Sequence, residues 1–425
     1  MKREFVIECI ALYWPVCLAA FFVLLLRPSR RELAAIAMAA TWQAASLAML
    51  NALAQHFQWW EFGMSQWSVF GMPASLYLGW VVLWGVASVL IMRYTGLLGA
   101  IVILFVFDVV LMPMMQPVLV LGEWWLLGEG VLIVFSLIPG MLLARWVVAD
   151  VWPGLRASLI SVAFVSIVMI LLPVIGSGES IQEIIHRVSS VSSIFHWRVW
   201  GFITVIFIVG LPALAAVIEF SREGKGTPIP FDPPKCLVVS GVYSYIANPM
   251  QFSMFWVLLL EGLFIQNWIC ILLALVSVIY SEGIARWSEN EDLVSRYGDR
   301  WKHYKKTVPR WRFRLLPVQP ELELASLYYA SNCSVCSEIG NWFVQQAPLN
   351  LKVMDADSYS GETLARITYI SITGERRQGV DAIAAAIQHI HLGWAWMGWL
   401  IQLPVLAHVF QLALDASGAA PAKEK

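Results

Sequence analysis

Long apolar segments separated by short polar connections dominate the chain up to about residue 287. A helix needs roughly 20 apolar residues to cross a hydrocarbon core about 30 Å thick, and most of these segments reach that length. The pattern predicts a mainly α polytopic membrane protein with about nine transmembrane helices, the eighth of them short. The predicted spans are 5–26, 33–55, 69–92, 96–118, 124–144, 157–175, 200–220, 250–265 and 267–287.

The periodicity changes after the Pro-punctuated stretch "LLPVQPELE". The segments "LASLYYA" and "LNLKVMDA" are typical of strands, and "SVCSEIGNWFVQQA" has the spacing of a helix. A strand pair that turns at Thr373-Gly374 is predicted in "RITYISITGERRQGV", and another helix in "DAIAAAIQHI". This order of elements indicates a small C-terminal α/β domain.

These changes predict four regions along the chain. A transmembrane domain at 1–220 precedes a hairpin-containing region at 221–318, the α/β domain at 319–415 and a disordered tail at 416–425. The loop sequence "IQEIIHRVSSVSSIF" predicts a helix that lies along the membrane interface. Pro404 and His408 interrupt the last apolar piece, which favours amphipathic or re-entrant helices there, with a tenth span as the alternative.

The composition and the distribution of basic residues add an orientation. The hydrophobic fraction is 59% and the charged fraction 13%, which excludes an ordinary soluble domain. Lys and Arg concentrate in alternate connections, so the positive-inside rule places the N-terminus outside and both 221–249 and 288–388 in the cytoplasm. We therefore expect a multi-pass protein of the cell inner membrane, with the bilayer as a partner and no nucleic-acid partner.

A polar stretch, "LVVSGVYSYIANPM", precedes the short eighth span. We call residues 240–249 the lip. Asn is a favoured helix N-cap and Pro is favoured at the first helical position, so Asn248-Pro249 predicts a sharp helix start. Gly241 permits a close approach of the backbone.

A helical hairpin follows the lip and turns at Gln266-Asn267. The returning helix is predicted to continue beyond the membrane, which places Glu282, Arg286, Glu289 and Leu293 on one face. Eight Lys and Arg residues against one Asp then lie between 296 and 314. A basic flank facing anionic lipid is the simplest interpretation of that run taken alone.

Two segments in this order resemble a known superfamily. The sequences "GTPIPFDPPKCLVVSGVYSYIANPM" and "SENEDLVSRYGDRWKHYKKTVPR", on either side of the hairpin, look like membrane isoprenylcysteine carboxyl methyltransferases and phospholipid N-methyltransferases. The resemblance covers about 226–312. It implies that S-adenosylmethionine binds at the lip, with a lipid-like or prenylated substrate and Arg310 near the substrate head. The residues implied in cofactor binding are Gly241, Tyr243, Asn248, Pro249, Glu289 and Tyr304.

The chemistry of the residues agrees with this expectation. Aromatic faces attract a sulfonium cation, and Tyr243, Tyr245, Trp301 and Tyr304 are the candidates. A carboxylate such as Glu289 suits an ammonium group or ribose hydroxyls, and the helix N-terminus at Pro249 suits a carboxylate.

A second motif, Cys333-x-x-Cys336, lies where a predicted strand meets a predicted helix. A helix N-terminus favours the thiolate, and the second cysteine can resolve a mixed disulfide. Residues 322–415, including "RRQGVDAIAAAI", resemble the DCC family of thioredoxin-like proteins. The resemblance implies a thioredoxin-like domain with a cytoplasmic thiol-redox partner, in which Cys333 and Cys336 are catalytic. A purely structural pair is the alternative.

Two acids lie at membrane depth, Asp108 in "ILFVFDVVL" and Glu129 in "LLGEGVLIV". Such groups either serve a function or persist as protonated, hydrogen-bonded acids.

Three functions remain open for this chain. The first is an S-adenosylmethionine-dependent methyltransferase with an attached thiol-redox domain. The second is a thiol–disulfide oxidoreductase or assembly factor with a non-catalytic methyltransferase-like core, and the third is a lipid-binding or transport module.

Overall fold

The computed structural model describes residues 2–63, 67–177, 195–227, 232, 234–318, 324–360 and 364–419. Among these residues, seven helices are long and apolar enough to cross a membrane, so the chain is a multi-pass helical membrane protein. The seven are Glu4–Leu26, Arg30–His56, Ala74–Met115, Trp125–Ala149, Pro153–Ile175, Trp197–Arg222 and Trp268–Ala285. The apolar helix Pro249–Phe264 is shorter, as the sequence predicts.

The chain forms two compact units. The first comprises Met1–Ile203, Gly226–Pro233 and Leu258–Leu273, and the second comprises Thr204–Lys225, Pro234–Val257 and Ala274–Lys425. The N-terminal helices are α1 (Lys2–Leu26), α2 (Arg30–His56), α3 (Ala74–Val82), α4 (Ser88–Leu111), α5 (Trp125–Leu132), α6 (Ile138–Ala149), α7 (Pro153–Ser166), α8 (Leu172–Ser177) and α9 (Phe195–Arg222). Single π-helical turns, Leu83–Ala87, Ile133–Leu137 and Ile167–Leu171, join α3 to α4, α5 to α6 and α7 to α8.

Small residues let α2 pack at the centre of the first unit. Ser29 and Glu32 form a capping box that starts the helix, since each side chain bonds the backbone N–H of the other residue. Buried small residues then line α2: Ala34, Ala35, Ala39, Ala45, Ala48 and Ala54. Gln43 donates to the Ser136 carbonyl oxygen at 3.0 Å, which links α2 to the helix that begins with α5. Close backbone approach and a polar cross-link together hold these apolar helices.

The third apolar run is broken at Gly96, which has a φ of 71° and a ψ of 179°. The run covers 42 residues, about 63 Å at 1.5 Å per residue and roughly twice the thickness of the hydrocarbon core. Two spans, 69–92 and 96–118, are predicted here. Gly96 lies at the predicted start of the second, although the total of nine spans stays a prediction.

Two small sheets connect the helices of the first unit. Strand β1 (Trp60–Phe62) pairs antiparallel with β4 (Leu119–Leu121), and Trp60 faces Leu121. Strands β2 (Ser68–Val69) and β3 (Met72–Pro73) form the other pair. A 3₁₀ turn, Met112–Met115, leads from α4 toward β4.

The second unit contains the lip, the returning helix from Ala274 onward and the α/β elements. Helix α10 (Pro249–Phe264) and α11 (Trp268–Tyr280) form the hairpin. A π-helical turn at Ser281–Ala285 then leads into α12 (Arg286–Thr307), so the returning helix continues as predicted. Gly298 interrupts its helical dihedrals, with a φ of 55° and a ψ of −124°.

The α/β elements have the predicted order. They are β5 (Ala325–Tyr329), α13 (Ser334–Gln346), β6 (Leu351–Asp355), β7 (Thr368–Ile370), β8 (Arg376–Gln378) and α14 (Val380–Ile387). The strand order is β6-β5-β7-β8, with β5 parallel to β6 and the other pairings antiparallel. Leu327 and Phe343 are fully buried between sheet and helix.

A buried ion cluster joins α9 to β8 within this unit. Arg377 on β8 binds Glu219 at 3.1 Å and Glu223 at 2.8 Å, and all three side chains are at least 97% buried. Burial by itself lowers the pKa of Arg377, but the Glu219 and Glu223 carboxylates outweigh it and hold that pKa above its ordinary value, so the guanidinium stays charged. Ser371 and Thr373 also donate to the Glu223 carboxylate. The sequence predicts separate domains with boundaries at 220 and 318, but these contacts place the end of α9 and the α/β elements in one unit.

Helical structure continues to the last described residues of the chain. Helices α15 (Leu392–Ile401) and α16 (Pro404–Leu414) are bent by 92° relative to each other, which fits a broken span as well as a re-entrant loop, so the favoured re-entrant helices stay a prediction. A π-helical turn, Asp415–Ala419, follows because Arg366 and Gln411 both bind the Asp415 carboxylate. The predicted interfacial helix, at 181–195, lies outside the described residues except for Phe195, and so do residues 420–425.

Candidate functional site

The lip begins with a 3₁₀ turn at Gly241–Ser244. Gly241 has a φ of +59°, in the left-handed region that favours glycine. A Cβ at this position would lie 2.5 Å from the Glu219 Cγ, so the available space also requires glycine. Ser240 donates to the Glu219 carboxylate at 3.1 Å. The start of the lip is therefore fixed against the end of α9.

Three backbone hydrogen bonds hold the rest of the lip to the segment that follows α12. The Ala247 N–H donates to the Pro309 carbonyl oxygen at 2.9 Å. In return, the Arg314 N–H donates to Tyr245 at 3.0 Å and the Val318 N–H donates to Ser244 at 3.1 Å. The lip thus lies alongside the end of the basic stretch, although these two parts are far apart in the sequence.

Arg310 connects the lip to the helical hairpin. Its Nε lies 2.9 Å from the Glu282 carboxylate, and its Nη2 donates to the Ser281 carbonyl oxygen at 3.4 Å. With its amide oriented to satisfy both neighbours, Asn248 accepts from Arg310 Nη2 at 2.8 Å and donates to the Ala247 carbonyl oxygen at 3.1 Å. Asn248 therefore binds Arg310 through its side chain, while Pro249 starts α10 as predicted.

Glu289 is a half-buried carboxylate on the first turns of α12. Burial raises the pKa of Glu289; the Arg310 guanidinium opposes this shift and the Glu282 carboxylate adds to it. Among the described residues, none forms a hydrogen bond to the Glu289 carboxylate. It is available to a ligand.

Three aromatic side chains form the floor of the lip. Tyr243, Trp301 and Tyr304 are each less than 10% exposed, and the Trp301 and Tyr304 ring centroids are 5.8 Å apart. The Tyr304 hydroxyl donates to the Tyr243 carbonyl oxygen at 2.9 Å, which ties α12 to the lip. Burial raises the pKa of Tyr243 and of Tyr304, so both stay neutral. The three rings therefore form a buried apolar surface beneath the lip, and none of them is an exposed aromatic group.

Tyr245 is oriented differently from the other predicted cofactor residues. Its fully buried ring packs edge-on to Trp399, and its hydroxyl donates to the Gln388 carbonyl oxygen at 2.6 Å. The structure brings together the other predicted residues of the lip and of α12, whereas the Tyr245 side chain contacts the C-terminal helices.

Two residues of the site have no counterpart among the sequence predictions. Glu219 holds the start of the lip, and Asn290 accepts from Lys305 at 2.9 Å and from the Trp301 indole at 3.4 Å. Glu219 lies at the end of the apolar run "ALAAVIEF", where a single acid could have signalled a buried partner. Nothing in the sequence separates Asn290 from its polar neighbours.

The Cys333–Cys336 pair lies at the N-terminus of α13, as predicted. Cys333 is the N-cap, and its Sγ accepts a hydrogen bond from the Cys336 N–H at 3.3 Å. Cys333 is half-buried and Cys336 is buried. Burial and the neighbouring Cys333 raise the pKa of the Cys336 thiol to about 12. Only Cys333 is both accessible and placed at the helix end.

Comparison with protein-family models, with curated proteins and with solved structures finds no match for this chain. The lip, α12 and the cysteine pair are therefore interpreted from their own geometry and chemistry.

Proposed function

We propose that this protein is an S-adenosylmethionine-dependent methyltransferase that acts on a lipid-like or prenylated substrate in the membrane. The observation that supports the proposal is the convergence of the lip with α12 and Arg310, because parts separated in the sequence meet through the Tyr304, Arg314 and Arg310 hydrogen bonds.

The residues present fit the cofactor. Glu289 supplies an acceptor for an ammonium group or for ribose hydroxyls, and it makes no competing hydrogen bond among the described residues. Trp301 and Tyr304 supply an aromatic environment for a sulfonium. The first turn of α10, starting at Pro249, supplies N–H groups for a carboxylate.

S-adenosylmethionine supplies an electrophilic methyl group, and an in-line displacement of that kind depends more on positioning than on acid–base help. The chain's contribution is therefore orientation. The Tyr304 hydroxyl and the three lip backbone bonds fix the position of the lip. Water is kept out by the buried floor at Tyr243 and Trp301.

Arg310 acts in this proposal as a positioning residue. Its guanidinium already bonds Glu282, Ser281 and Asn248, so it joins the lip to the membrane hairpin. A substrate whose head lies near the hairpin would then contact a lip that is already held in position. The same proposal includes the orientation that the basic residues predict, in which this site lies on the cytoplasmic side of an inner membrane.

Calorimetric titration of the purified full-length protein with S-adenosylmethionine tests the proposal. We expect Glu289→Gln to weaken binding by roughly 30-fold, about 2 kcal/mol, because a charged hydrogen bond is lost. Tyr304→Phe removes only the bond to the lip and should weaken binding about fivefold. Glu291→Gln, at an exposed position two residues away, is the matched control and should bind like the wild type.

The outcome that contradicts the proposal is equally specific. If the folded wild type does not bind S-adenosylmethionine, or if Glu289→Gln and Glu291→Gln bind it equally well, the lip is not the cofactor site.

A second function is supported by the cysteine pair. We infer that the domain predicted at 319–415 is a thioredoxin-like thiol–disulfide oxidoreductase, because Cys333 lies in the connection from β5 to α13 and caps the start of α13. The Cys333 thiolate would attack a partner disulfide, and Cys336 would then resolve the mixed disulfide. The partner disulfide is reduced to two thiols while the pair is oxidised to a disulfide.

A further inference from the structure

Two carboxyl groups are buried in the first unit. Asp108 on α4 is fully buried, and Glu129 on α5 is 1% exposed. The Trp84 indole donates to one Asp108 oxygen at 2.9 Å. The other Asp108 oxygen, Oδ1, and the Glu129 Oε1 have no hydrogen-bond partner among the described residues. Buried polar atoms are nearly always satisfied, so two orphaned oxygens on neighbouring helices require a reason.

Glu129 lines a cavity of about 30 Å³, which is room for one or two water molecules. Most of the wall is apolar and includes Trp60, Trp80 and Leu132. The other polar group in the wall, Asn51, is occupied, since its amide donates to Phe70 at 3.1 Å and accepts from the Trp60 indole at 3.1 Å. Glu129 is therefore the acidic group of the wall, and its Oε1 has unused hydrogen-bonding capacity.

Within the described part of the chain, no basic side chain acts on Asp108 or Glu129. The charged group that acts on Asp108 is Glu129; the Trp84 indole donates to its Oδ2, and the Trp80 indole lies near the carboxyl without donating to Oδ1. On the surrounding elements, Tyr77 on α3 donates to the Ala44 carbonyl oxygen and Glu8 on α1 accepts from Ser75. The remaining titratable side chains near this end of the bundle, His56, Glu61 and Glu123, are exposed.

Two carboxylates without a cation are costly at membrane depth, by several kcal/mol per ion. We propose that Asp108 and Glu129 form a proton-binding site of the membrane unit, in which water in the cavity delivers one proton to the pair. The step is a protonation: cavity water relays a proton from bulk hydronium to a carboxylate oxygen, which becomes the O–H of a carboxylic acid, and the negative charge of the pair falls by one. This site is independent of the proposed methyl transfer.

The position of the cavity also indicates the end of the helix bundle from which protons reach the pair. Its walls come from α2, α3, α5, β1, β3 and β4, so it lies at the end of the bundle where the two small sheets connect the helices. Protons would reach the pair from that end, opposite the end that carries the capping box of α2.

Infrared difference spectroscopy of the full-length protein in lipid nanodiscs tests the proposal. Between acidic and alkaline buffer we expect one carboxylic-acid C=O band, shifted in D₂O because the proton exchanges with solvent. Glu129→Gln, which preserves size and hydrogen bonding, should lose the band or shift it, and Asp108→Asn should do the same. Glu123→Gln, at an exposed position just before α5, is the matched control and should leave it unchanged.

Three results would overturn the proposal. The first is a spectrum without any pH-sensitive band that depends on Asp108 or Glu129. The second is a band that does not shift in D₂O, since the acid would then be sealed within the fold. The third is a band that disappears at constant pH when Na⁺ or NH₄⁺ is added, since the pair would then hold a metal ion or ammonium rather than a proton. The wild-type measurements decide the second and third results even if a variant does not fold.

Discussion

Gly241 illustrates how one residue can be fixed by two separate constraints. Its φ of +59° disfavours any side chain, and its missing Cβ leaves space for the Glu219 carboxylate. Gly374, in the turn between β7 and β8, has a φ of +85° but no atom within 4 Å of an added Cβ. A side chain at Gly374 would therefore meet backbone strain alone, whereas a side chain at Gly241 would meet backbone strain and a steric clash.

We predict that Gly374→Ala lowers the free energy of unfolding by about 1 kcal/mol, the cost of a left-handed residue with a side chain. Gly241→Ala should cost roughly 3 kcal/mol, because it adds a clash with the Glu219 side chain. Thermal unfolding in detergent measures both changes. Equal losses in the two variants would contradict the steric part of the argument.

His389 supplies a pH dependence at the residue scale. Its Nδ1 lies 2.9 Å from the Leu349 carbonyl oxygen and therefore carries the proton, so the Tyr369 hydroxyl donates to Nε2 at 3.0 Å. Burial lowers the pKa of His389 from 6.5 to about 4. Between these values, the unfolded chain takes up a proton that the folded chain does not.

The free energy of unfolding should therefore fall as the pH decreases from 6.5 toward 4, by up to about 3 kcal/mol. Melting temperatures measured at pH 7 and pH 5 test this decrease. In His389→Gln the difference between the two pH values should shrink, whereas His408→Gln, at an exposed position, should retain it. A wild-type melting temperature that is the same at both pH values would refute the assignment.

At the element scale, the helix α13 determines how its two cysteines differ. The helix end gives Cys333 a backbone N–H and partial exposure, while the same turn buries Cys336 against the sheet. Because the pKa of Cys336 rises to about 12, its thiol stays protonated at neutral pH.

We predict fast alkylation of Cys333 and slow alkylation of Cys336 at neutral pH, measured by mass spectrometry of the folded protein. In Cys333→Ser the remaining thiol should stay slow, and any disulfide reductase activity should be lost. Equal rates for the two thiols, or an active Cys333→Ser variant, would leave the pair with a structural role alone.

The elements themselves were accessible to sequence patterns, and the long-range contacts were not. Helical length and strand alternation predict α9, the hairpin and the α/β elements, since each pattern depends on neighbouring residues. The rotation of the Tyr245 hydroxyl toward Gln388 depends on helices that come much later in the chain. The pairing of Glu219 with Arg377 likewise depends on tertiary contacts between distant parts of the chain. This is why the predicted domain boundaries differ from the bounds of the two units.

At the scale of the whole molecule, the buried ion cluster makes the α/β elements part of the membrane-proximal fold. Arg377 forms ion pairs with both Glu219 and Glu223, and Glu219 in turn holds Ser240 at the lip. Removing one partner of a buried ion pair leaves an uncompensated charge, which is more costly than replacing the whole cluster.

We predict that Arg377→Ala lowers the free energy of unfolding by about 3–5 kcal/mol, whereas Arg376→Ala, at the exposed neighbouring position, changes it little. Adding Glu219→Gln and Glu223→Gln to an Arg377→Met variant should recover much of the loss. Thermal unfolding and limited proteolysis report the effect. Similar stabilities of Arg377→Ala and Arg376→Ala would show that the cluster contributes little.

The same cluster sets an order of events during synthesis of the chain. Glu219 is made 158 residues before Arg377, and at 5–20 residues per second that interval lasts roughly 8–30 seconds. Throughout it the end of α9 carries two acids whose counterion does not yet exist. The lip therefore reaches its final arrangement only when β8 has left the ribosome, and a prematurely terminated chain inserts its helices without completing the site.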